Sequence, residues 1–224
     1  MGRFIETLSG CYIGAEDVGV TPEFADWMLE TTSHVMGGTA EGQGGDPSPH
    51  TAMGVIYGMQ ASLRHQGRDQ FAGLTVAVQG MGSVGSHLAR LVHERGADLI
   101  VADPHAERVQ HAVDTYDAKP VSCDEILSVE CDILAPCALG AGFNEETIPT
   151  VRAGIICGAA NNVLRDPDQD AIRLQERGIL YAPDFIVNAG GLIHLAGLHL
   201  GYTSDQLVAM IERIEDTTLT VYGM

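Results

Sequence analysis

Residues 75–89 of this 224-residue chain read Thr-Val-Ala-Val-Gln-Gly-Met-Gly-Ser-Val-Gly-Ser-His-Leu-Ala. An apolar, β-rich run leads into glycines at 80, 82 and 85 and then into a helical period. Each glycine suits one task. Gly80 permits a tight turn out of a strand, Gly82 lets an anionic group approach bare backbone, and Gly85 lets the next helix pack closely on the strand. The helix start then offers unpaired amides and a positive dipole end to a pyrophosphate, with Met81, Ser83, Val84 and Ser86 filling the turn. Asp103 follows Gly85 by 18 residues and ends a second apolar run, Leu99–Ala102. A carboxylate there accepts ribose hydroxyls and repels a 2′-phosphate. The constellation therefore predicts a dinucleotide, NAD rather than NADP, with Arg108 the one nearby cation able to soften that preference. The glycine pattern alone is common. The strand before it, the helix after it and the acid beyond it make it specific.

Other chemistry-bearing residues are weaker signals taken singly. Glu16-Asp17 could place a catalytic carboxylate on a loop, although an isolated loop acid is ordinarily just solvated. Asn161-Asn162 and Asn188 fall at the carboxyl ends of expected strands, where open α/β sheets bind ligands. Turn formation explains asparagine at such places equally well. The nine histidines show no H-x-x-x-H spacing, so no metal site is expected, and His194 reads as a packing or surface residue. Five cysteines at irregular spacing, with no C-x-x-C pair, read as reduced thiols.

These residues need a scaffold. Short apolar runs at Leu74–Gln79, Leu99–Asp103, Asp132–Ala135, Ile155–Gly158 and Ile179–Ala182 read as strands. Helical periods at Val84–Arg95, Ala106–Asp117, Glu145–Arg152 and Asp168–Arg177 separate them. Strands apolar on both faces and alternating with helices predict a doubly wound, mostly parallel α/β sheet, a Rossmann-like nucleotide domain. Upstream, Thr21–Val35 reads as a helix with Phe24, Trp27, Met28 and Val35 on one face. The run Gly37–Pro49, with five glycines and two prolines, is a hinge or loop, and His50–Gln66 is a further helix. Asn188–Leu200 and Ser204–Thr220 close the chain as helices. The second lacks an acidic capping-box partner at Leu207 when Ser204 is taken as its cap.

The chain carries 30 acidic and 12 basic side chains, for a net charge of −18. That charge disfavours nucleic acid and anionic lipid. No stretch approaches the ~20 apolar residues of a membrane span, and no signal peptide is apparent at Met1–Glu6. The expected setting is cytoplasmic.

Several longer segments carry a resemblance. They are Gly2-Arg-Phe-Ile-Glu, Ala15-Glu-Asp-Val-Gly19, Pro47-Ser-Pro-His-Thr51, Val78-Gln-Gly-Met-Gly-Ser-Val84 and Glu130-Cys-Asp-Ile-Leu-Ala-Pro-Cys-Ala-Leu-Gly140. Gly158-Ala-Ala-Asn-Asn-Val-Leu164 and Tyr181-Ala-Pro-Asp-Phe-Ile-Val-Asn-Ala-Gly-Gly191 complete the set. Read together and in order, they resemble the leucine/phenylalanine/valine dehydrogenases, relatives of glutamate dehydrogenase. The resemblance implies NAD-dependent oxidative deamination of an apolar L-amino acid to a 2-oxo acid and ammonia. By matching motif it implies that Asp17 is the acid/base and that Thr51 and Asn162 lie by the nicotinamide. It further implies that Ala138 and Leu139 line the cofactor cleft, that Asn188 sits near the reacting centre, and that Ala15, Leu192 and Leu195 border the substrate side chain. A homo-oligomer is compatible with it.

Such enzymes also carry a catalytic lysine and a substrate-carboxylate lysine ahead of the Gly-Arg-Phe segment. The only lysine here is Lys119, which follows the second expected strand and matches neither. The expectation is a chain shortened at both ends, with residues 1–46 a remnant of the substrate and dimerisation domain plus hinge. Residues 47–69 would be a linking helix, 70–187 the NAD-binding domain, and 188–224 helices returning towards the substrate domain. A different-class alternative stays open, in which the chain binds NAD without turnover.

Overall fold

The structure, a computed structural model, describes residues 1–17, 19–40 and 42–224; Val18, inside the Ala15–Gly19 segment, and Glu41 lie outside the described residues. Thr75–Gln79 is apolar at three successive positions and bounded by Gly73 and Gly80, and it forms the central strand β1. Around it lie β2 (Asp98–Ala102), β3 (Lys119–Pro120), β4 (Ile133–Pro136), β5 (Ile155–Ile156) and β6 (Leu180–Tyr181), in the order β3-β2-β1-β4-β5-β6. All pairings are parallel, with Val76 opposite Leu99 on one side and Ile133 on the other. This is the expected doubly wound α/β fold. Its strand order reverses between β1 and β4, and that reversal opens a crevice at the carboxyl ends of the strands.

Alternation along the strands feeds two cores. Val76, Val78, Leu99, Val101, Ile133 and Ala135 join α3 (Ser48–His65) and α4 (Ser83–His93). Ala77, Ile100, Leu134 and Ile156 meet Ile126, Phe143, Ile148 and Leu174 on the opposite face. A sheet covered on both faces needs such runs. Helices α5 (Ala106–Tyr116) and α6 (Pro167–Glu176) complete the winding. Beyond them, α7 (Asp184–Val187), α8 (Gly190–His199) and α9 (Ser204–Tyr222) return across α3. Small residues make that crossing possible, since a Cβ at Gly54 would stand 2.8 Å from the Val187 carbonyl oxygen and 3.2 Å from the Gly190 amide. The first residues form α1 (Gly2–Glu6) and α2 (Pro22–Leu29), which share a separate small core of Ile5, Ala25 and Val35.

Four local expectations need correction. The helix expected over Thr21–Val35 stops at Leu29. Hydroxyls there divert backbone groups: Thr31 Oγ1 donates to the Met28 carbonyl and Thr32 Oγ1 accepts the His34 amide. Val35 instead forms a parallel bridge with Gly14, and Phe24 and Trp27 are exposed against each other rather than facing a core. Second, Glu145–Arg152 is only a 3-10 turn at Ile148–Thr150. Asn144 Oδ1 holds the preceding residues in a separate turn by accepting the Glu146 and Thr147 amides, and Pro149 cannot supply a continuing amide. Third, the helix expected from Asn188 begins at Gly190, and Asn188 terminates α7. Finally, α9 does carry a capping box. Its cap is Thr203, whose Oγ1 accepts the Gln206 amide while Gln206 Oε1 accepts the Thr203 amide.

Candidate functional site

The turn after β1 is built as its glycines require. Gly80 has φ +95° and donates its amide to the Ala102 carbonyl at 2.8 Å. A Cβ on it would stand 2.9 Å from the Cys137 carbonyl oxygen. At Gly85 a Cβ would collide with the Gly80 carbonyl oxygen, so glycine is what lets α4 start against β1. Gly82 is open by contrast: among the described residues, only the Arg108 guanidinium comes within 4.0 Å of its Cβ position. It is also the N-cap of α4 and no side chain among the described residues caps that end, so the amides of the first turn are left for a ligand. Ser86 Oγ donates back to the Ser83 carbonyl, and Val84 is half-buried.

Asp103 stands directly after β2 and reaches across this turn. Its Oδ2 accepts the Met81 amide at 2.7 Å, and its Oδ1 accepts the His105 amide at 2.8 Å and faces the His105 ring Nδ1 at 2.9 Å. Burial alone would raise this carboxyl. Those hydrogen bonds, with the Arg108 guanidinium nearby, outweigh burial and hold it below the usual carboxylate range.

On the other side of the strand-order reversal the chain leaves β4 through Cys137, whose amide donates to the Gln79 carbonyl at 2.7 Å. Burial pushes the Cys137 thiol up to about 12, so it stays a neutral thiol packed against the core. Ala138 and Leu139 follow, with Leu139 79% exposed. This loop lies on the next one: the Ala141 amide donates to the Asn162 carbonyl at 2.7 Å, and Asn162 holds φ +51°. Asn188 joins them, donating from Nδ2 to Asn161 Oδ1 at 2.5 Å and to the Ala159 carbonyl at 3.2 Å. The structure thus brings Asp103, the Gly80–Ser86 turn, Ala138, Leu139, Asn162 and Asn188 to one rim. The surface depressions bounded by Arg152 and Arg177, or by His65 and Tyr181, lie elsewhere.

Thr51 stands in the first turn of α3, its Oγ1 donating to the Pro47 carbonyl at 3.2 Å. A Cβ at Gly191 would strike that hydroxyl and one at Gly190 would strike the His50 carbonyl, so α3 and α8 meet backbone to backbone. The two leucines of α8 part company. Leu195 is 3% exposed beneath Gly44, whereas Leu192 is 65% exposed. Ala15 is half-buried and Asp17 exposed, on the segment that Gly14 pairs to Val35. Burial falls on the neighbouring acid instead. Glu16 Oε2 is enclosed beside Gly37 with no hydrogen-bond partner among the described residues, and its carboxyl is pushed up to about 7, by burial first and then by Asp46 and Glu23.

The sequence held no local sign of one further pair. His50 and His194 stack face to face, with ring centroids 3.5 Å apart and planes 9° apart. His194 Nε2 lies 3.0 Å from the Gly44 carbonyl, which ties the glycine-rich segment to α8. Burial and the adjacent ring push His50 down to about 4 against the pull of Asp46, so it is neutral at neutral pH. His194 is therefore a packing residue with a tethering hydrogen bond.

With this geometry in place, comparison with known proteins is decisive. The chain matches the Glutamate/Leucine/Phenylalanine/Valine dehydrogenase family profile over residues 44–106 and 101–198. It belongs to that family. It is 46% identical to leucine dehydrogenase of Geobacillus stearothermophilus over 225 residues, covering 100% of this chain and 61% of that one. It is 38% identical to L-tryptophan dehydrogenase of Nostoc punctiforme, covering 100% of this chain and 63% of the relative. The crystal structure of L-tryptophan dehydrogenase from Nostoc punctiforme superposes with a TM-score of 0.85 at 36% identity, covering 99% and 64% of the two chains. Against a glutamate dehydrogenase from Thermus thermophilus the TM-score is 0.74 at 20% identity, a likeness of fold alone. The chain spans about three-fifths of the length of the curated relatives it matches.

Proposed function

We propose that this chain is the NAD-binding and hinge portion of an amino-acid dehydrogenase that deaminates an apolar L-amino acid of the leucine, valine or phenylalanine type to its 2-oxo acid and ammonia. The observation that carries the reading is the continuous rim from Asp103 through the glycine turn to Ala138, Asn162 and Asn188, at the carboxyl ends of β1, β2, β4 and β5. NAD fits this rim. Gly82 leaves room for a pyrophosphate where a side chain would intrude, and the uncapped start of α4 supplies donors for it.

When bound, the nicotinamide supplies the hydride acceptor. The backbone amides of Ser83, Val84 and Gly85 would hold the pyrophosphate, Met81 and Ser86 shape the turn around it through amides bonded to Asp103 and Gly82, and Asp103 stiffens the turn and would flank the adenosine ribose. Ala138 and Leu139 wall the cleft, while Thr51 and Asn162 place the ring. Asp17 takes and returns the proton at the substrate amine, and Asn188 orients the reacting group. Ala15 and Leu192 would offer apolar surface and no partner for a second carboxylate, while Leu195 is packed beneath Gly44 rather than at the surface. Residues 1–46 face the substrate, 47–69 link, 70–187 bind the cofactor, and 188–224 return towards the substrate side. The partners are small molecules, with a homo-oligomer as the working assembly.

Lys119 is exposed on the edge strand β3, separated from β1 by β2. The chain therefore places no lysine at the rim, and this chemistry calls for a desolvated amine to activate water at the carbon. Titration with NADH is expected to saturate; no binding at millimolar NADH defeats the reading. With leucine, valine or phenylalanine and NAD at alkaline pH, the purified 224-residue chain is expected to give no NADH, and measurable reduction overturns the requirement for a further lysine.

A further inference from the structure

Gly44, midway along the glycine-rich segment, is pressed onto α8. It holds φ +97°, and a Cβ on it would stand 2.6 Å from Leu195 Cδ2 and 3.2 Å from Leu198 Cδ1. Its carbonyl lies 3.0 Å from His194 Nε2. A carbonyl only accepts, so that nitrogen carries the proton of the neutral ring. His194 Nδ1 is then a bare lone pair, buried without a hydrogen-bond partner among the described residues. The His194 ring stacks at 3.5 Å on His50 of α3, whose Nδ1 is enclosed in the same way. Two uncharged imidazoles thus join the glycine-rich segment, α3 and α8.

That arrangement resists a further proton. An imidazolium donates from both ring nitrogens, and a proton on His50 Nδ1 would find no acceptor among the described residues. Its charge would also be taken out of water against a second ring. The titratable and charged groups on the elements packed against α3 are His87, Arg90 and His93 of α4, Asp184 of α7, His194 and His199 of α8, and Asp205, Glu212, Arg213, Glu215 and Asp216 of α9. Of these and of the described acids, only His194 and Asp46 act on His50, and Asp46 favours the charged ring without prevailing. We propose that the His50–His194 stack is a proton-operated latch, which fastens the glycine-rich segment to α3 and α8 while both rings are neutral and releases it when His50 is protonated. Release acts where residues 1–46 join the rest of the chain, through Gly37 beside Glu16 and Pro47 against Gly191. The latch involves no cofactor atom.

Closed, His50 is held at about 4; opened, it returns to the ordinary 6.5, so the opening constant grows as pH falls through that interval. One proton taken up there raises the constant by about a hundredfold between pH 7 and 4. The test is amide hydrogen exchange on the full chain across this range, read as protection factors. Gly37 and Gln43, whose amides bond to the Gln43 and Ala40 carbonyls, report the segment, and the amides of β1 report global unfolding. Segment protection is expected to fall by about tenfold or more in acid while β1 stays protected. Glu16 works with the opposite sign, since its ionisation near 7 loosens the contact with Gly37 as pH rises. His50→Phe keeps a flat ring on His194 and removes the titration, so its segment protection should not change with pH. His194→Leu removes the tether and should lower that protection at pH 7 as well. An NMR titration of the wild-type His50 ring needs no variant and should give a midpoint well below 6.5. Segment protection that is flat in the wild type, that falls only together with β1, or that falls equally in His50→Phe overturns the latch, as does a His50 ring titrating at 6.5.

Discussion

Gly82 and Gly85 stand three residues apart in one turn, yet replacing each by alanine should fail in different ways. A Cβ on residue 85 collides with the Gly80 carbonyl oxygen, lies 2.9 Å from the Gly80 carbonyl carbon and 3.4 Å from Cys137 Cβ. Gly80 cannot yield. Its amide is bonded to Ala102, its φ is +95°, and the Cys137 carbonyl closes its other side. The start of α4 must therefore retreat, at an overpacking cost of roughly 1–3 kcal/mol. Alanine's better helix propensity returns at most about 1 kcal/mol of that. At ~2–4 °C per kcal/mol for a chain of this size, the melting temperature should fall by several degrees. The retreat also withdraws the first-turn amides from the ligand. Losing one hydrogen bond to a charged group costs about 1.5–3 kcal/mol, or ten- to a hundredfold in NADH affinity. Gly82→Ala meets no such collision, and alanine in place of glycine at an N-cap should cost under about 1 kcal/mol. Its Cβ occupies the space left for the pyrophosphate, so NADH affinity should fall by about tenfold or more while the unfolding midpoint stays near wild type. Thermal unfolding paired with NADH titration reads both axes. Wild-type NADH affinity in Gly82→Ala, or wild-type stability in Gly85→Ala, would refute the division of labour drawn here.

Three further outcomes follow from other sites. Asp103 has a lowered carboxyl, so its contribution to stability is present above the unfolded-state value of ~3.9 and is lost as pH falls through the lower folded value. Asp103→Asn should be less stable than wild type at pH 7, with the gap closing in acid; a pH-independent gap in urea midpoints would contradict this. Glu16 behaves oppositely: its carboxyl is raised to about 7, so the folded state binds the extra proton between 4.5 and 7, and stability falls as pH rises through that window. Glu16→Gln should equal wild type near pH 4 and exceed it at pH 8, and no gain at pH 8 counts against the burial argument. At α9, Thr203→Ala should cost about 0.5–2 kcal/mol by losing the Gln206 partnership, while Ser204→Ala should stay within about 0.5 kcal/mol; the reverse ranking in chemical denaturation would place the cap at Ser204 after all.

What could be read from residues alone was whatever is settled within a few positions. The glycine turn was legible because each of its demands, a positive φ, an open approach and a close helix start, falls on one residue type at one spacing. The same holds for Asp103 as the residue directly after β2, but not for its orientation, which depends on an amide 22 positions earlier, on Met81. Errors came where a local signal lost to a competitor. The hydroxyls of Thr31 and Thr32 ended α2 before its apolar pattern did, and Pro149 cut a helix to a single turn. The cap of α9 is legible in Thr203-Ser-Asp-Gln206, one residue ahead of the Ser204 start that the apolar pattern suggests. A second class of feature had no local sign. Gly190 and Gly191 mark the start of α8 because α3 lies against their backbones, and His50 finds His194 across 144 positions of chain. All of these belong to one seam, where the glycine-rich segment, α3 and α8 meet. Through it Glu16 is packed beside Gly37, Leu195 beneath Gly44, and Thr51 against Gly191. The glycine turn is specified by residues of its own strand and helix start. The Ala15–Asp17 segment and α8 are placed through the seam, which no local motif records.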